Sequence, residues 1–233
     1  MKKFHFTPLQ IAAHIGALLP LAWLVIDYLA GNLTVNPIQA ATQRTGDYAL
    51  VLLLLSLAVT PLITLTGYNP VQKIRRPLGL YAFLYAAIHF YLFIGVDYGF
   101  NLAFLLADIA QKRFIFVGLA ALLLLIPLAF TSYRYWQKRL GKNWKRLHRL
   151  VYLAAILVVT HVAWAVKGDL FTLQGDIWKP LLAGSVLALL LLARIPGIRR
   201  RLANLRAAAQ SRRIISAPKA QVKSQQRKPG AGL

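Results

Sequence analysis

The chain alternates between long apolar runs and short polar intervals. Runs of membrane-spanning length fall at about 9–26, 48–66, 78–96, 114–131, 150–166 and 180–193. A hydrocarbon core of about 30 Å takes about 20 helical residues, so the pattern predicts six spans, the last being the shortest. The expected fold class is all-α. Residues 1–195 are read as a polytopic six-transmembrane-helix bundle and residues 196–233 as a basic amphipathic and disordered cytoplasmic tail. No internal repeat suggests a transporter assembled from duplicated halves.

The polar intervals give this outline its direction. An outer loop is expected over roughly 28–46, where "GNLTVNP" has turn chemistry. The inner connection "GYNPVQKIRRP" places Pro77 near the start of the third helix, where its missing N–H costs little. In "VDYGFNLAFLLADIAQKR" an apolar piece of about ten residues is too short to cross and is expected to lie along the outer interface. The interval 132–147, "SYRYWQKRLGKNWKRL", alternates Trp and Tyr with Lys and Arg. It reads as an interfacial helix with rings at headgroup depth and charges toward anionic lipid, the sharper alternative being a docking face for a cytoplasmic electron donor. From about 196, "PGIRRRLANLRAAAQSRR" begins as a basic helix, and "SAPKAQVKSQQRKPGAGL" reads as disordered.

Composition supports the membrane reading: 58% of residues are hydrophobic and the mean hydropathy is +0.55. A formal charge of +22 raises the question of nucleic acid, since clustered Lys and Arg supply most non-specific affinity for phosphates. The placement of the charge excludes it. With a cytoplasmic N-terminus, only Arg44, Lys112, Arg113, Lys167 and Lys179 fall outside, which leaves 23 of the 28 basic residues inside, as the positive-inside rule expects. All six acids, Asp27, Asp47, Asp97, Asp108, Asp169 and Asp176, fall on the outer side. The start resembles a signal peptide, but no small-residue cleavage site follows, and the first run is kept as a span. The absence of cysteine excludes disulfides, iron–sulfur clusters and thiolate-ligated haem.

Histidine is left to carry any redox chemistry. His5 precedes the first run and reads as solvated, whereas His14, His89, His148 and His161 sit in or at the edge of apolar runs. An imidazole in hydrocarbon must find a partner, and an ionisable group there is a functional candidate by default. His89 lies twelve residues past Pro77, and His161 thirteen past His148. At about 1.5 Å per residue both are roughly 18–20 Å from the inner boundary. Two neutral imidazoles at one depth on different helices can clamp a haem iron from both faces, with Phe90, Tyr91 and Trp164 as candidates for packing on the porphyrin. The competing reading is that each ring simply bonds a backbone carbonyl or a hydroxyl such as Thr160. Zinc is disfavoured by the lack of nearby Asp, Glu or Cys, and a proton relay by the lack of intramembrane carboxylates.

His148, about 20 Å below His161, suits a second haem near the inner boundary. Its level-matched neighbours on the third helix are Arg75 and Arg76, which would pair with haem propionates or an anionic flavin rather than ligate iron. His14, near the inner end of the first helix, is the candidate for a further inner ligand. Thirteen residues at about 100° each leave His148 and His161 about 140° apart around an ideal helix, which tilt, curvature or haems on different flanks must reconcile.

The segments "RRPLGLYAFLYAAIHFY", "IPLAFTS" and "LGKNWKRLHRLVYLAAILVVTHVAWAVK" resemble the ferric-reductase-like transmembrane family. Within it they are similar to the haem-binding membrane subunits of bacterial protein-methionine-sulfoxide reductase systems, over about residues 5–200. The resemblance implies a six-helix cytochrome b of the bacterial inner membrane, both termini cytoplasmic, with one or two haems b held by His89, His148 and His161, and an association with FMN. It implies electrons taken from the quinone pool or a cytoplasmic flavin reductase and passed to a periplasmic molybdopterin-containing methionine sulfoxide reductase, for repair of oxidised envelope proteins. Relative to the wider superfamily, the fourth histidine is replaced in the Arg75/Arg76 region. No G-x-G-x-x-G follows the last run, so a separate donor and acceptor are expected. The alternatives are a metalloreductase acting directly on Fe(III), and a non-redox scaffold or transporter whose histidines only pair helices.

Overall fold

The computed structural model describes residues 6–166, 168–169, 174–175 and 177–216. His5 and all but Ser216 of the segment expected as disordered tail, 216–233, lie outside the described residues. Helix α1 (Pro8–Leu29) starts at a capping box in which the Thr7 N–H donates to Gln10 Oε1 at 3.1 Å, with Pro8 at the first helical position. Helix α2 (Pro37–Thr66) starts where the Asn36 side chain accepts the Gln39 N–H at 3.1 Å, and ends at Gly67, whose φ of +74° suits a residue without Cβ. A short 3-10 turn, Asn69–Val71, leads into α3 (Gln72–Tyr91), which widens into a π-helical turn over Leu92–Asp97. Then come α4 (Leu102–Gln111), α5 (Arg113–Phe130), α6 (Arg134–Leu140), α7 (Lys142–Leu147) and α8 (Leu150–Ala165). A two-residue antiparallel pair, β1 (Gly168–Asp169) and β2 (Gln174–Gly175), precedes α9 (Trp178–Leu192) and α10 (Pro196–Ser216).

Five helical segments are long and apolar enough to cross a membrane, and the pair α9 and α10 makes a sixth if taken as one span bent by 81°. Alone, α9 has 15 residues, about 22 Å at the usual rise, and falls short of a full crossing. The chain is a multi-pass membrane protein, and its largest side chains face outward accordingly. Leu19, Trp23, Leu29, Phe130 and Leu189 are all exposed, while the interior is built around small residues such as Ala17, Ala82, Ala154 and Ala155.

Two expectations need correction. The segment 37–46, expected as part of an outer loop, is the first part of α2. Its polar residues gave no hydropathy signal, yet Thr45 is fully buried and spends its hydroxyl on the Ala41 carbonyl at 2.9 Å, so the helix buries polar atoms without orphaning them. The interval 132–147 is not one interfacial helix but two, broken at Gly141 with φ +50°. The short helix expected after the third span is present as α4.

The principal pairings are α2 with α3 and α5 with α8, with α1 against α3, α9 against α8, and α10 folded back on α2. Arg206 of α10 approaches the last carbonyls of α2, 3.4 Å from Ile63 O and 3.5 Å from Thr64 O. A side chain at Gly67 would meet that guanidinium at 3.1 Å. At the centre Tyr85 of α3 is wholly buried, donates its hydroxyl to the Ala17 carbonyl of α1 at 2.7 Å, and receives Tyr48 edge-on at 5.4 Å. Tyr85→Phe keeps the ring and loses only that bond, so it is expected to lower unfolding stability by about 1 kcal/mol. The check is the midpoint of unfolding in a detergent titration against wild type.

Candidate functional site

His89 sits in the last turn of α3 and His161 near the end of α8, and the fold brings the two rings together, centroids 6.1 Å apart and planes at 85°. Each ring is anchored from behind. His89 Nδ1 lies 2.7 Å from the Thr42 carbonyl oxygen of α2, and His161 Nδ1 lies 2.8 Å from the Phe114 carbonyl oxygen of α5. A carbonyl oxygen has no hydrogen to give, so each Nδ1–H is the donor, and in the neutral ring the lone pair then resides on Nε2.

A helical carbonyl points toward the residue four positions on, where a side chain would normally cover it. At both anchors that residue is glycine. A Cβ on Gly46 would stand 3.0 Å from His89 Nδ1, and one on Gly118 only 2.6 Å from His161 Nδ1. The two half-sites share one design, a carbonyl followed four residues later by glycine, with the histidine 47 positions beyond the carbonyl in each case. The N-terminal extension of α2, ahead of the apolar run, supplies the first of them.

The structure thus brings the His89 and His161 rings side by side, and also makes the backbone bonds that the competing reading invoked. Those bonds occupy one nitrogen of each ring and leave the other for a metal. Thr160 plays no part, its hydroxyl bonding the Ile156 carbonyl instead. Each ring has one nitrogen free, so the pair offers two donors, where a structural zinc site takes four.

His148 lies apart. As the C-cap of α7 it stacks on Trp144, centroids 4.1 Å apart, with Nε2 at 3.2 Å from Thr131 Oγ1. The Thr131 hydroxyl hydrogen goes to the Pro127 carbonyl at 2.6 Å, so toward His148 that oxygen accepts and Nε2 carries the proton. His148 is therefore held in the tautomer opposite to that of His89 and His161. The Thr131 carbonyl accepts the Trp144 indole N–H at 2.8 Å, which fixes the stack. The break between α7 and α8 also resolves the angular problem, since His148 meets one end of α5 at Thr131 and His161 the other at Phe114.

His14 Nδ1 is 2.9 Å from the Tyr81 hydroxyl, eight residues before His89 on α3, hence about 12 Å below the paired rings. His148, about 20 Å below them, is at a different level, and the structure does not bring the two together. Arg75 is half-buried and within electrostatic reach of His148, whereas its neighbour Arg76 is exposed with its guanidinium 5.0 Å from the Tyr133 ring. Of the aromatics, Tyr91 is exposed and packs on Phe100, and Trp164 is exposed. Phe114 is the ring found against His161, at 5.8 Å.

Residues 45–159 match the family model for the ferric reductase like transmembrane component. That range takes in Gly46, His89, Gly118 and His148 and stops just before His161. The chain is 44% identical to the protein-methionine-sulfoxide reductase heme-binding subunit MsrQ of Rhodospirillum rubrum, over 82% of this chain and 90% of the relative. The MsrQ of Herminiimonas arsenicoxydans is 41% identical over 84% of this chain and 90% of its own length, and that of Deinococcus radiodurans 45% over 78% and 86%. The chain belongs to the MsrQ family of ferric-reductase-like membrane proteins.

The glycine seats make a direct prediction. Gly118→Ala should push His161 off the Phe114 carbonyl, and Gly46→Ala should disturb His89 less, in the order of their clashes. Gly184→Ala, whose Cβ would meet nothing closer than Val159 at 3.7 Å, should change nothing. The check is NMR of histidine-labelled protein, with loss of the slowly exchanging His161 Nδ1–H signal in Gly118→Ala and its retention in Gly184→Ala.

Proposed function

We propose that this chain is the haem b-binding membrane subunit of a protein-methionine-sulfoxide reductase. In this reading it conducts electrons from a donor at the basic end of the bundle to a partner reductase at the end that holds His89 and His161. The observation that carries it is the geometry of that pair. A metal–imidazole bond of about 2 Å, with the ring centre roughly 1 Å behind its nitrogen, would set two rings on opposite sides of one iron about 6 Å apart, and the centroid separation is 6.1 Å. The free nitrogen on each ring is Nε2, and the glycines at 46 and 118 leave room for both imidazoles against their helices. The names of the relatives, heme-binding subunits, specify the group that such a two-donor clamp fits.

His89 and His161 would hold the iron through Nε2, and a haem so ligated supplies a one-electron couple at its iron. The Thr42 and Phe114 carbonyls keep each ring in the tautomer whose lone pair is on Nε2 and set its rotation. The apolar helices around the pair limit access of water. The reading takes one haem per chain. His148 has no opposing imidazole among its ring contacts, and its Nε2 is committed to Thr131.

The direction of transfer rests on charge. The basic end carries Arg75, Arg76, the 134–149 cluster and the start of α10, which by the positive-inside rule faces the cytoplasm of a bacterial inner membrane. Quinol, or flavin reduced by a cytoplasmic reductase, would deliver electrons there. At the periplasmic end the acceptor would be a molybdopterin-containing methionine sulfoxide reductase, so sulfoxide chemistry belongs to the partner.

Protein expressed with ample haem should carry about one haem b per chain by pyridine haemochrome assay, the two-ligand stoichiometry of a single axial clamp. His89→Ala and His161→Ala should each reduce this to near zero, while His148→Ala should retain both the haem and its visible spectrum. Wild-type haem content and spectrum in both His89→Ala and His161→Ala would refute the pairing. In vesicles, the reduced protein should pass electrons to the sulfoxide reductase faster than to a ferric chelate, and the opposite preference would favour a metalloreductase.

A further inference from the structure

Arg194 lies between α9 and α10, where the chain turns by 81°. Its Nη1 donates to the Tyr152 hydroxyl of α8 at 2.9 Å and its Nη2 to the Leu57 carbonyl of α2, while the guanidinium lies 5.2 Å from the centre of the Tyr152 ring. The remaining donor, Nε, is buried and has no partner. A buried donor without an acceptor is rare enough in native proteins to require an explanation, an unseen ion among the usual ones. The partners Arg194 does have are neutral, so its charge too is uncompensated.

A second arginine shares this place. The Arg75 carbonyl accepts the Ser56 hydroxyl at 3.0 Å, next along α2 from the Leu57 carbonyl that Arg194 engages. The two cations are within electrostatic reach of one another. Among the described residues no acceptor engages the Arg75 guanidinium, although the residue is half-buried. Like charges held together at a bilayer boundary repel and call for an anion. The described residues offer none here. Asp27, Asp47, Asp97 and Asp108 lie at the opposite end of the bundle, and Asp169 and Asp176 belong to the connection between α8 and α9. Both ion pairs resolved among the described residues, Arg44 with Asp27 and Lys179 with Asp47, are also at that far end.

We propose that Arg194 and Arg75 form an oxyanion site that takes a phosphate group at the basic end of the bundle, with Tyr152 and the Leu57 carbonyl holding Arg194 in position. Two guanidiniums supply planar, bidentate donors matched to phosphate oxygens, and the boundary is the depth at which lipid phosphates lie. Arg76 is outside the site, its guanidinium being spent on Tyr133. The phosphate is that of an anionic lipid headgroup or of a soluble phosphate ester. The site stands independently of the His89–His161 reading.

The test compares full-length protein in phosphatidylglycerol nanodiscs and in phosphatidylcholine nanodiscs, the latter with and without added inorganic phosphate. The readout is the midpoint of thermal unfolding, because a ligand that binds only the folded state raises it. Phosphatidylglycerol should raise the wild-type midpoint by several degrees over phosphatidylcholine. Arg194→Gln and Arg75→Gln should lose most of that rise, and Arg76→Gln should keep it. Among the described residues Arg75→Gln removes no side-chain hydrogen bond, so it reports on the site even if Arg194→Gln loosens α9. If inorganic phosphate in phosphatidylcholine discs produces the rise and Arg75→Gln abolishes it, the site is confirmed with a soluble source. A rise of equal size in wild type, Arg75→Gln and Arg76→Gln, or no rise with either probe, would overturn the proposal.

Discussion

A backbone carbonyl can only accept a hydrogen bond, and the centre of this protein is organised by that constraint. Because Thr42 and Phe114 present carbonyl oxygens to the Nδ1 atoms of His89 and His161, each neutral ring must keep its lone pair on Nε2. The carbonyls are reachable only because the next turn of each helix has glycine where a side chain would stand. Glycine inside a helix costs roughly 0.5–1 kcal/mol relative to alanine, and here it is used at both half-sites for close approach. The main helix pairings, α2 with α3 and α5 with α8, are the two partnerships that bring a glycine-bared carbonyl to a histidine.

The opposite end follows a different logic. There His148 donates through Nε2 to a threonine whose own hydrogen is committed elsewhere, and it lies against an indole fixed by the same residue. His89, His161 and His148 therefore divide into two with Nε2 free and one with Nε2 engaged. The electrostatics divide in the same way. Among the described residues, ion pairs lie at the end near His89 and His161, whereas arginines without a carboxylate partner gather at the end near His148.

The helices, their order and the shared depth of His89 and His161 were legible in the sequence, because hydrophobic length and a fixed rise per residue translate directly into membrane geometry. The start of α2 was not. Its first turns are polar, and only the Asn36–Pro37 cap signals a helix where hydropathy reads loop. That error hid Thr42 and Gly46, and with them the seat of His89. Gly118 was visible as an isolated glycine in an apolar run, but its meaning depends on a carbonyl brought to a residue 47 positions away. The fate of His148 was likewise out of reach, since it depends on which acceptor takes one hydroxyl proton at Thr131. Arg75 and Arg76 look equivalent in sequence and become distinct only when one is half-buried within electrostatic reach of His148 and the other is exposed and meets Tyr133.

The central claim is that two imidazoles, set nearly perpendicular at 85°, grip one iron through Nε2. Low-temperature EPR of the oxidised, haem-loaded protein tests it most directly. Two axial imidazoles make ferric haem low-spin, and crossed ring planes leave its orbitals nearly degenerate, so the account predicts a strongly anisotropic low-spin signal with a large maximum g value. A high-spin ferric signal, as one histidine opposite water would give, would contradict it.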